Sequence, residues 1–486
     1  MNKSLIKQLL YSFLIDPLFY LCTVLNVLFT AFSFFFINRF FLIETSTTDL
    51  SFFFNSFAQI TVITTPLLFF RLNYFINTDD YPIGLYTSFF SISLSVFIAQ
   101  IISLVFLFSI PVSVNFFGSV DFGQIFCGYA GLLFYICASC CFVHFLFIFF
   151  NNINTFLALF WSILFLLFFN FIHLIPLYLK TGDFISSLLQ KISFAWHFDS
   201  WSKGILDTRN LLFYFYLTLC ISVISVTLKK IRISLNINKT RLILLLFSLV
   251  FSSIGFSKIY LRFDFTKNKT YSTDKITKEL CRNLENPLRI TYYQSKELKK
   301  YYPQSRDIIE YLKQFASANK NITFSVEKAD ADKLSNLGIR GQQLKSQNST
   351  KIEYNYVYST IQLQYLDKSS FIPFVISNKT LEYDLAQRIQ QLISKKERNV
   401  YVCAANSFSV DEDYVYLENW LISRGFTTTV LPKNLLLNTL SFFDYSTTNK
   451  PILLLLGTSQ LTDEESFAIK IAAEKGMPVL VLTNPY

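Results

Sequence analysis

SVDFGQIFCGYAGLLFYICASCCFVHFLFIFF, residues 119–150, carries a single charged side chain, Asp121. Asp121 is also the only charge between Asp80 and Lys180. A soluble fold could not present so long a stretch to water without a large exposed apolar surface, whereas a bilayer-spanning helix needs about 20 such residues. Working outward, seven segments meet that length: roughly 17–38, 50–70, 86–110, 122–150, 154–175, 210–228 and 242–260. The whole chain has 486 residues, 52% hydrophobic and only 16% charged. That deficit of charge lies in the first part. Residues 1–260 hold 14 Lys+Arg and 9 Asp+Glu, against 29 and 24 in residues 261–486. The composition therefore predicts a membrane part followed by an ordinary water-exposed part, and excludes a wholly soluble or disordered chain. The net charge of +10 divides evenly and forms no basic block that would suit nucleic acid.

Orientation is read from Lys and Arg in the short connections. The cluster KKIRISLNINKTR, residues 229–241, has five basic residues in thirteen and predicts a cytoplasmic linker. That puts the N-terminus in the cytoplasm and, after seven crossings, residues 261–486 outside. Residues 1–16 place Leu5, Ile6, Leu9, Leu10, Phe13 and Leu14 on one helical face, an interfacial amphipathic helix against the lipid bilayer. No span has an acidic or basic residue near its centre, where an ion-coupled transporter keeps one. His144 and His173, alone among apolar neighbours, read as hydrogen-bonded packing residues. Any energy for movement must then come from a partner.

From 288 onward, strand-like runs (LRITYYQ, ITFSVEKA, an extended pair in 351–376, NVYVCAA, TTTVLP, PILLLLG, MPVLVLT) alternate with helical patterns at 303–318, 380–394, 411–424 and 462–475. This predicts an α/β domain with a mainly parallel sheet. Residues 261–486 contain no histidine and no G-x-S-x-G elbow, so neither a Cys-His nor a Ser-His pair is available, and Cys403 reads as a buried strand-end thiol. Asp411, Glu412 and Asp413 read as a helix-capping cluster rather than a metal site. The chain has no G-x-x-x-x-G-K-[ST] loop to cradle a nucleotide. The expectation is no catalytic residue, no metal and no cofactor in the chain itself.

The opening KQLLYSFLIDPLFYLCTVLNVLFTAFSFFF, with Pro17 leading into the first span, resembles type-two ABC exporter permeases. In SVDFGQIFCGYAGLLFYICASCCF the matching positions include Asp121 and Gly123. In HFDSWSKGILDTRNLLFYFYLTL they are His197, Phe198, Gly204 and Asp207, as in the GldF-type permease of the gliding-motility auxiliary ABC transporter family. RFDFTKNKTYSTDKITKELCRNLENPLRITYY, with Asp264 and Thr266, resembles the entry to the GldG-type auxiliary domain. Gly341 and Gln342 in LGIRGQQLK, and Glu382, Tyr383 and Asp384 in LEYDLAQRIQQL, continue that likeness. Two positions depart from the pattern: Leu85 stands where those permeases have Thr, and Ala99-Gln100 where they have Gly-Lys.

The resemblance implies a six-helix ABC permease domain at 17–228, a seventh transmembrane helix at 242–260 and an extracytoplasmic GldG-like domain at 261–486, fused in one inner-membrane protein. It implies ATP hydrolysis in a separate ABC ATPase subunit, docking on a cytoplasmic surface formed by Lys3, Lys7, Arg71, Asp79, Asp80 and Gly84. It also implies a homodimer or a second permease subunit as the other membrane half. The competing expectation from the residues alone is a membrane-anchored structural or sensory protein of the envelope.

Overall fold

The computed structural model describes residues 3–42, 48–72, 85–150, 154–176, 183–233, 261–295, 298, 305–336, 339, 341–348, 351–378, 380–393, 399–423, 426–446 and 450–483. The chain forms two compact units, Met1–Ser272 and Thr273–Tyr486.

The first unit is a helical bundle. Helix α1, Lys3–Ile15, buries Leu5, Leu9 and Phe13 and leaves Leu14 exposed. It stops at Asp16, whose extended backbone (φ −89°, ψ 124°) and carboxylate cap the next helix by accepting from Leu18 N at 2.8 Å. Pro17, with no N–H to lose, opens α2, Pro17–Phe32, which continues as a π-helical turn over Ser33–Ile37. Then come α3 (Ser51–Arg71), α4 (Leu85–Phe106), α5 (Ser109–Phe117), α6 (Phe122–Phe150), α7 (Thr155–Phe171), the short α8 (Asp183–Ile192) and α9 (Phe194–Ser202), and α10 (Thr208–Ile233). Among the described residues, six helical stretches are long and apolar enough to cross a membrane, so the chain is a multi-pass membrane protein in type. The expected span at 86–110 differs in detail. Helix α4 ends at Phe106 and a second helix runs on to Phe117. Pro111 explains the break, since its ring lacks an N–H and crowds the carbonyl of Leu107 four residues back.

Successive helices alternate in direction, which gathers residues 48–50, 118–124, 193–210 and 261–272 at one end of the bundle. We call this the Asp121 end; the other, holding Asp16 and Arg71, is the Asp16 end. The short strands β1, Ile205–Asp207, and β2, Arg262–Asp264, pair antiparallel at the Asp121 end, with Ile205 opposite Asp264. That pairing has a consequence for chain direction. Helix α10 starts beside β1 and has 26 residues, so Ile233 stands about 39 Å away at the opposite end. Leu261 is nevertheless back beside Thr208, whose N–H it accepts at 3.0 Å. The expected seventh helix and most of the basic linker lie outside the described residues.

The second unit departs from a single, mainly parallel sheet. Its first sheet is mixed and has the order β4-β3-β7-β8, from β3 (Leu288–Gln294), β4 (Ile322–Lys328), β7 (Ser359–Tyr365) and β8 (Lys368–Ile372). Strand β4 is parallel to β3 because α12, Ser305–Ala316, makes the crossover; β7 is antiparallel to both β3 and β8. A two-residue turn at Leu366 and Asp367, with Leu366 at φ 53°, joins β7 to β8, and so short a link permits only antiparallel pairing. A separate hairpin pairs β5, Gln342–Asn348, with β6, Lys351–Val357. The helices α11 (Lys275–Arg282), α12 and α14 (Leu381–Ile393), the last preceded by the short α13 (Ala331–Asn336), supply Cys281, Leu312, Leu385 and Ile389 to the core on one face of the mixed sheet.

The second sheet is wholly parallel, in the order β10-β9-β11-β12. Its strands are β9 (Asn399–Ala404), β10 (Thr427–Val430), β11 (Ile452–Leu456) and β12 (Val479–Leu482). The expected helix at 411–424 is two pieces, Val410–Asp413 and Val415–Ser423. An unexpected helix covers Lys433–Phe442. The helix Asp463–Glu474 begins with a capping box, Thr462 Oγ1 accepting from Glu465 N while Glu465 accepts from Thr462 N at 2.8 Å.

Candidate functional site: a latch at the Asp121 end

The residues matched by family resemblance converge on one place in the first unit. Residues 261–272, RFDFTKNKTYS after Leu261, fold into a loop organised by one carboxylate. Asp264 is buried, and its Oδ1 accepts from Thr266 N at 2.9 Å and from the Thr266 hydroxyl at 2.5 Å. Its Oδ2 accepts from Tyr271 N at 2.8 Å, and its carbonyl oxygen accepts from Lys269 Nζ. Thr266 Oγ1 in turn accepts from Thr270 N at 3.1 Å. Bonds of this kind to a carboxylate are each stronger than a neutral pair, so much of the loop's shape is held by its own contacts.

The bundle receives that loop through three small features. Asp121 Oδ1 caps the start of α6 by accepting from Gly123 N at 2.9 Å, while Oδ2 reaches out to Lys267 N at 2.8 Å. Gly123 lies directly under the Phe265 carbonyl, which would be 1.7 Å from any Cβ at that position. Gly204, at φ 87°, turns its carbonyl to accept from Phe265 N at 3.1 Å. Beside it, the buried Asp207 takes a bidentate ion pair from Arg209, with Nη2 to Oδ2 at 2.6 Å. His197 and Phe198 belong to the same end. His197 Nε2 must donate to Lys191 O at 2.9 Å, Nδ1 meets the Asn210 amide at 2.7 Å, and the ring stacks on Phe213 at 3.9 Å. Phe198 is fully buried against Tyr135.

Gln124 was not singled out from the sequence, yet it ties three segments together under the latch. Its Nε2 donates to Asp49 Oδ1 at 2.6 Å and to Ser202 O at 2.9 Å, and its Oε1 accepts from Leu50 N at 3.2 Å. The only available signal was an amide beside the lone charge of a long apolar run.

Deeper in the bundle, uncharged polar groups close on one another. Asn26 on α2 donates to Gln100 on α4 at 2.9 Å and accepts from Thr64 on α3 at 2.9 Å, while Gln100 donates to Thr64 and Thr65 at 3.1 Å each. All four side chains are buried. Such contacts hold helices together, at about 0.6 kcal/mol each on average within a bilayer. His144 has its Nδ1 at 2.8 Å from Ser93 Oγ and its ring stacked on Phe89; His173 Nδ1 faces Asn170 O and Ser193 Oγ, both at 2.8 Å. Tyr135 donates to Asn170 Oδ1 at 2.8 Å.

At the Asp16 end, Arg71 forms an ion pair with Asp16, fastening the end of α3 to the joint between α1 and α2. Lys7 is exposed on α1, and Lys3 begins that helix. Asp79, Asp80 and Gly84 lie outside the described residues. The surface expected to receive an ATPase is thus described only at Lys3, Lys7 and Arg71.

The remaining matched positions lie in the second unit and form no common site with one another. Glu382 accepts from Asp274 N at 2.6 Å, Tyr383 is exposed, and Asp384 sits in the first turn of α14. Gly341 lies against the Tyr358 ring, and Gln342 opens β5 opposite Val357. Asp413 accepts from Ser409 N at 2.8 Å, a capping contact. Cys403 is fully buried in β9, and burial, with Glu465 adding to it, pushes its thiol up to about 11. The reactive thiolate is therefore scarce at neutral pH. Alkylation of Cys403 by iodoacetamide, read by peptide mass spectrometry on the native chain, should be at least about 100-fold slower at pH 8 than that of an unperturbed thiol. The rate should rise with pH through about 10. Rapid labelling at pH 7 would contradict the assignment.

A domain family described as a domain of unknown function (DUF7088) matches residues 267–364, from the latch loop to the end of β7. A Borreliella burgdorferi protein named "Uncharacterized protein" is 33% identical over 141 residues. That alignment covers 28% of this chain and 28% of the relative. No solved structure matches.

Proposed function

We propose that this chain is the transmembrane permease subunit of an ATP-driven export or envelope-related transporter of the gliding-auxiliary ABC type. In this reading it lacks its own ATPase, lies in the cell inner membrane with the Asp16 end in the cytoplasm, and carries residues 273–486 outside as a binding unit. The observation that carries the reading is the latch. A chain that only anchored a soluble unit would need one helix and a loose linker, whereas here Asp121, Gly123 and Gly204 clamp the segment that leads to that unit. Movement of α6 would then be transmitted to residues 261–272. The charge-free centres of the six described spans favour an external source of energy over an ion gradient. A partner ATPase would meet the Asp16 end, and the Asp16 ion pair with Arg71 would pass its motion to α1, α2 and α3.

The structural or sensory reading is favoured by one observation, the closed Asn26, Gln100, Thr64 and Thr65 network, which leaves none of its own polar groups open to a cargo. Purification of the tagged chain from its native membranes, followed by mass spectrometry, separates the two. The permease reading expects a subunit containing a G-x-x-x-x-G-K-[ST] loop in comparable amount. A chain that is folded and active with no nucleotide-binding partner would sink it.

A further inference from the structure

The segment that enters the latch alternates in character. Asp264 and Thr266 turn toward the bundle and are buried there, whereas Leu261, Phe263 and Phe265 point the other way and are 57%, 51% and 42% exposed. The same apolar surface continues onto α6. Phe265 packs its ring 5.9 Å from that of Phe126, and Phe122, Phe126 and Leu133, all exposed, fall within about 40° of one another around that helix. Gly123 brings strand and helix together, since only a residue without a Cβ lets the Phe265 carbonyl lie on the first turn of α6. Lys267 and Asn268, both exposed, follow at the tip of the loop.

The length of α6 sets the level of this face in a bilayer. Its 29 residues, with Asp121 before them and Asn151 and Asn152 after them, run between two polar ends. They span about 43 Å, against about 30 Å of hydrocarbon. Shared between the two ends, the excess of about 13 Å lifts roughly the first four residues to the level of the headgroups. Phe126 then stands at the boundary, and Leu133 lies about 10 Å deeper, where the solvent is hydrocarbon. The exposed face of β2 is the direct continuation of that stripe, although β2 itself does not span. Apolar side chains on one side and a cationic, polar tip on the other are the composition of an element lying in the interface.

We propose that this face of β2 is seated in the interfacial layer of the bilayer at the Asp121 end, with Leu261, Phe263 and Phe265 among the glycerol and upper acyl groups of phospholipid and Lys267 at the phosphates. The latch is then closed between two surfaces, the Asp121 and Gly123 seat on one side and lipid on the other. Phospholipid thereby becomes a ligand of the joint as well as the solvent of the helices. This seat requires no transport by the bundle and no ATPase, so its failure leaves the permease reading intact, and a missing ATPase leaves the seat intact.

Spin labels on Leu261→Cys, Phe263→Cys, Phe126→Cys and Asn268→Cys test it, in the full chain reconstituted into vesicles of phosphatidylethanolamine and phosphatidylglycerol. Each label reports whether its site meets lipid-soluble oxygen or a water-soluble nickel chelate, after subtraction of the signal of the unsubstituted chain. All four positions are exposed, and substitution there leaves the Asp264 carboxylate and its partners in place. Leu261→Cys and Phe263→Cys should favour oxygen, as Phe126→Cys does, at a depth of about 5–10 Å, and Asn268→Cys should favour nickel. Nickel contact at either strand position would overturn the proposal by placing the face in water. Exclusion of both reagents from the strand positions would also overturn it, by placing protein, such as a second copy of the chain, over the face.

Discussion

Gly123→Ala is expected to free residues 261–272 from the bundle. A Cβ at this position would lie 1.7 Å from the Phe265 carbonyl oxygen and 2.5 Å from its carbon. Both are backbone atoms held by the Asp264 loop, so no rotamer change makes room. The contrast with Gly128 is useful. A Cβ there meets the Phe54 ring at 2.3 Å, and a side chain can turn aside. Overpacking costs about 1–3 kcal/mol, and losing the Asp121 to Lys267 N bond adds about 1.5–3 kcal/mol because the acceptor is charged. A local cost of about 3 kcal/mol raises the open population roughly 100-fold. Limited proteolysis of the full chain in membranes should therefore cut after Lys267 or Lys269 roughly 100-fold faster in the variant, with the bundle still folded. Unchanged cleavage would mean that the carbonyl does not sit on Gly123.

Asp264→Ala attacks the same latch from the loop side. It removes the acceptor for Thr266 N, the Thr266 hydroxyl and Tyr271 N at once. With charged hydrogen bonds at about 1.5–3 kcal/mol each and partial replacement by water, a loss of about 3 kcal/mol is expected, seen as similarly fast cleavage. Asp264→Asn retains one acceptor and should fall between wild type and alanine. The two substitutions act on one contact surface, so the double variant should cleave hardly faster than either single one. Additive effects would show that the loop and its seat are independent features.

The helical bundle was readable because charge is costly in a bilayer, and the runs flanking Asp121 keep to that rule for a hundred residues. Its irregularities were harder to see. Pro111 was visible, but it is one residue in a long apolar run, and the carbonyl it crowds at Leu107 leaves no mark on the hydropathy. Asn26 and Gln124 lie within apolar runs, where one amide barely changes the hydropathy, so their cross-links emerge only when helices distant in sequence are brought together. The latch residues were marked through resemblance; nothing in their spacing indicates that Asp121 and Asp264, 143 positions apart, serve one joint.

In the second unit, alternating strands and helices suggested a parallel sheet, and β9 to β12 form one. Residues 288–372 instead form a mixed sheet, because the Leu366–Asp367 turn closes a hairpin where a crossover helix would be needed. The helix Lys433–Phe442 was missed although its signal was present. Pro432 stands just before it, and Leu436 and Leu440 share the buried face four residues apart.

The account requires the Asp16 end and the Thr273–Tyr486 unit to face opposite sides of one membrane, energy arriving at the first and ligand at the second. Two-sided labelling of Lys7→Cys and Lys470→Cys with a membrane-impermeant maleimide tests this most directly. Both positions are exposed, and the eight native cysteines contribute little background, since seven are buried and Cys137 is half-buried. In intact cells Lys470→Cys should label and Lys7→Cys should not, and in inverted vesicles the pattern should reverse. Labelling of both from the same side would contradict the account.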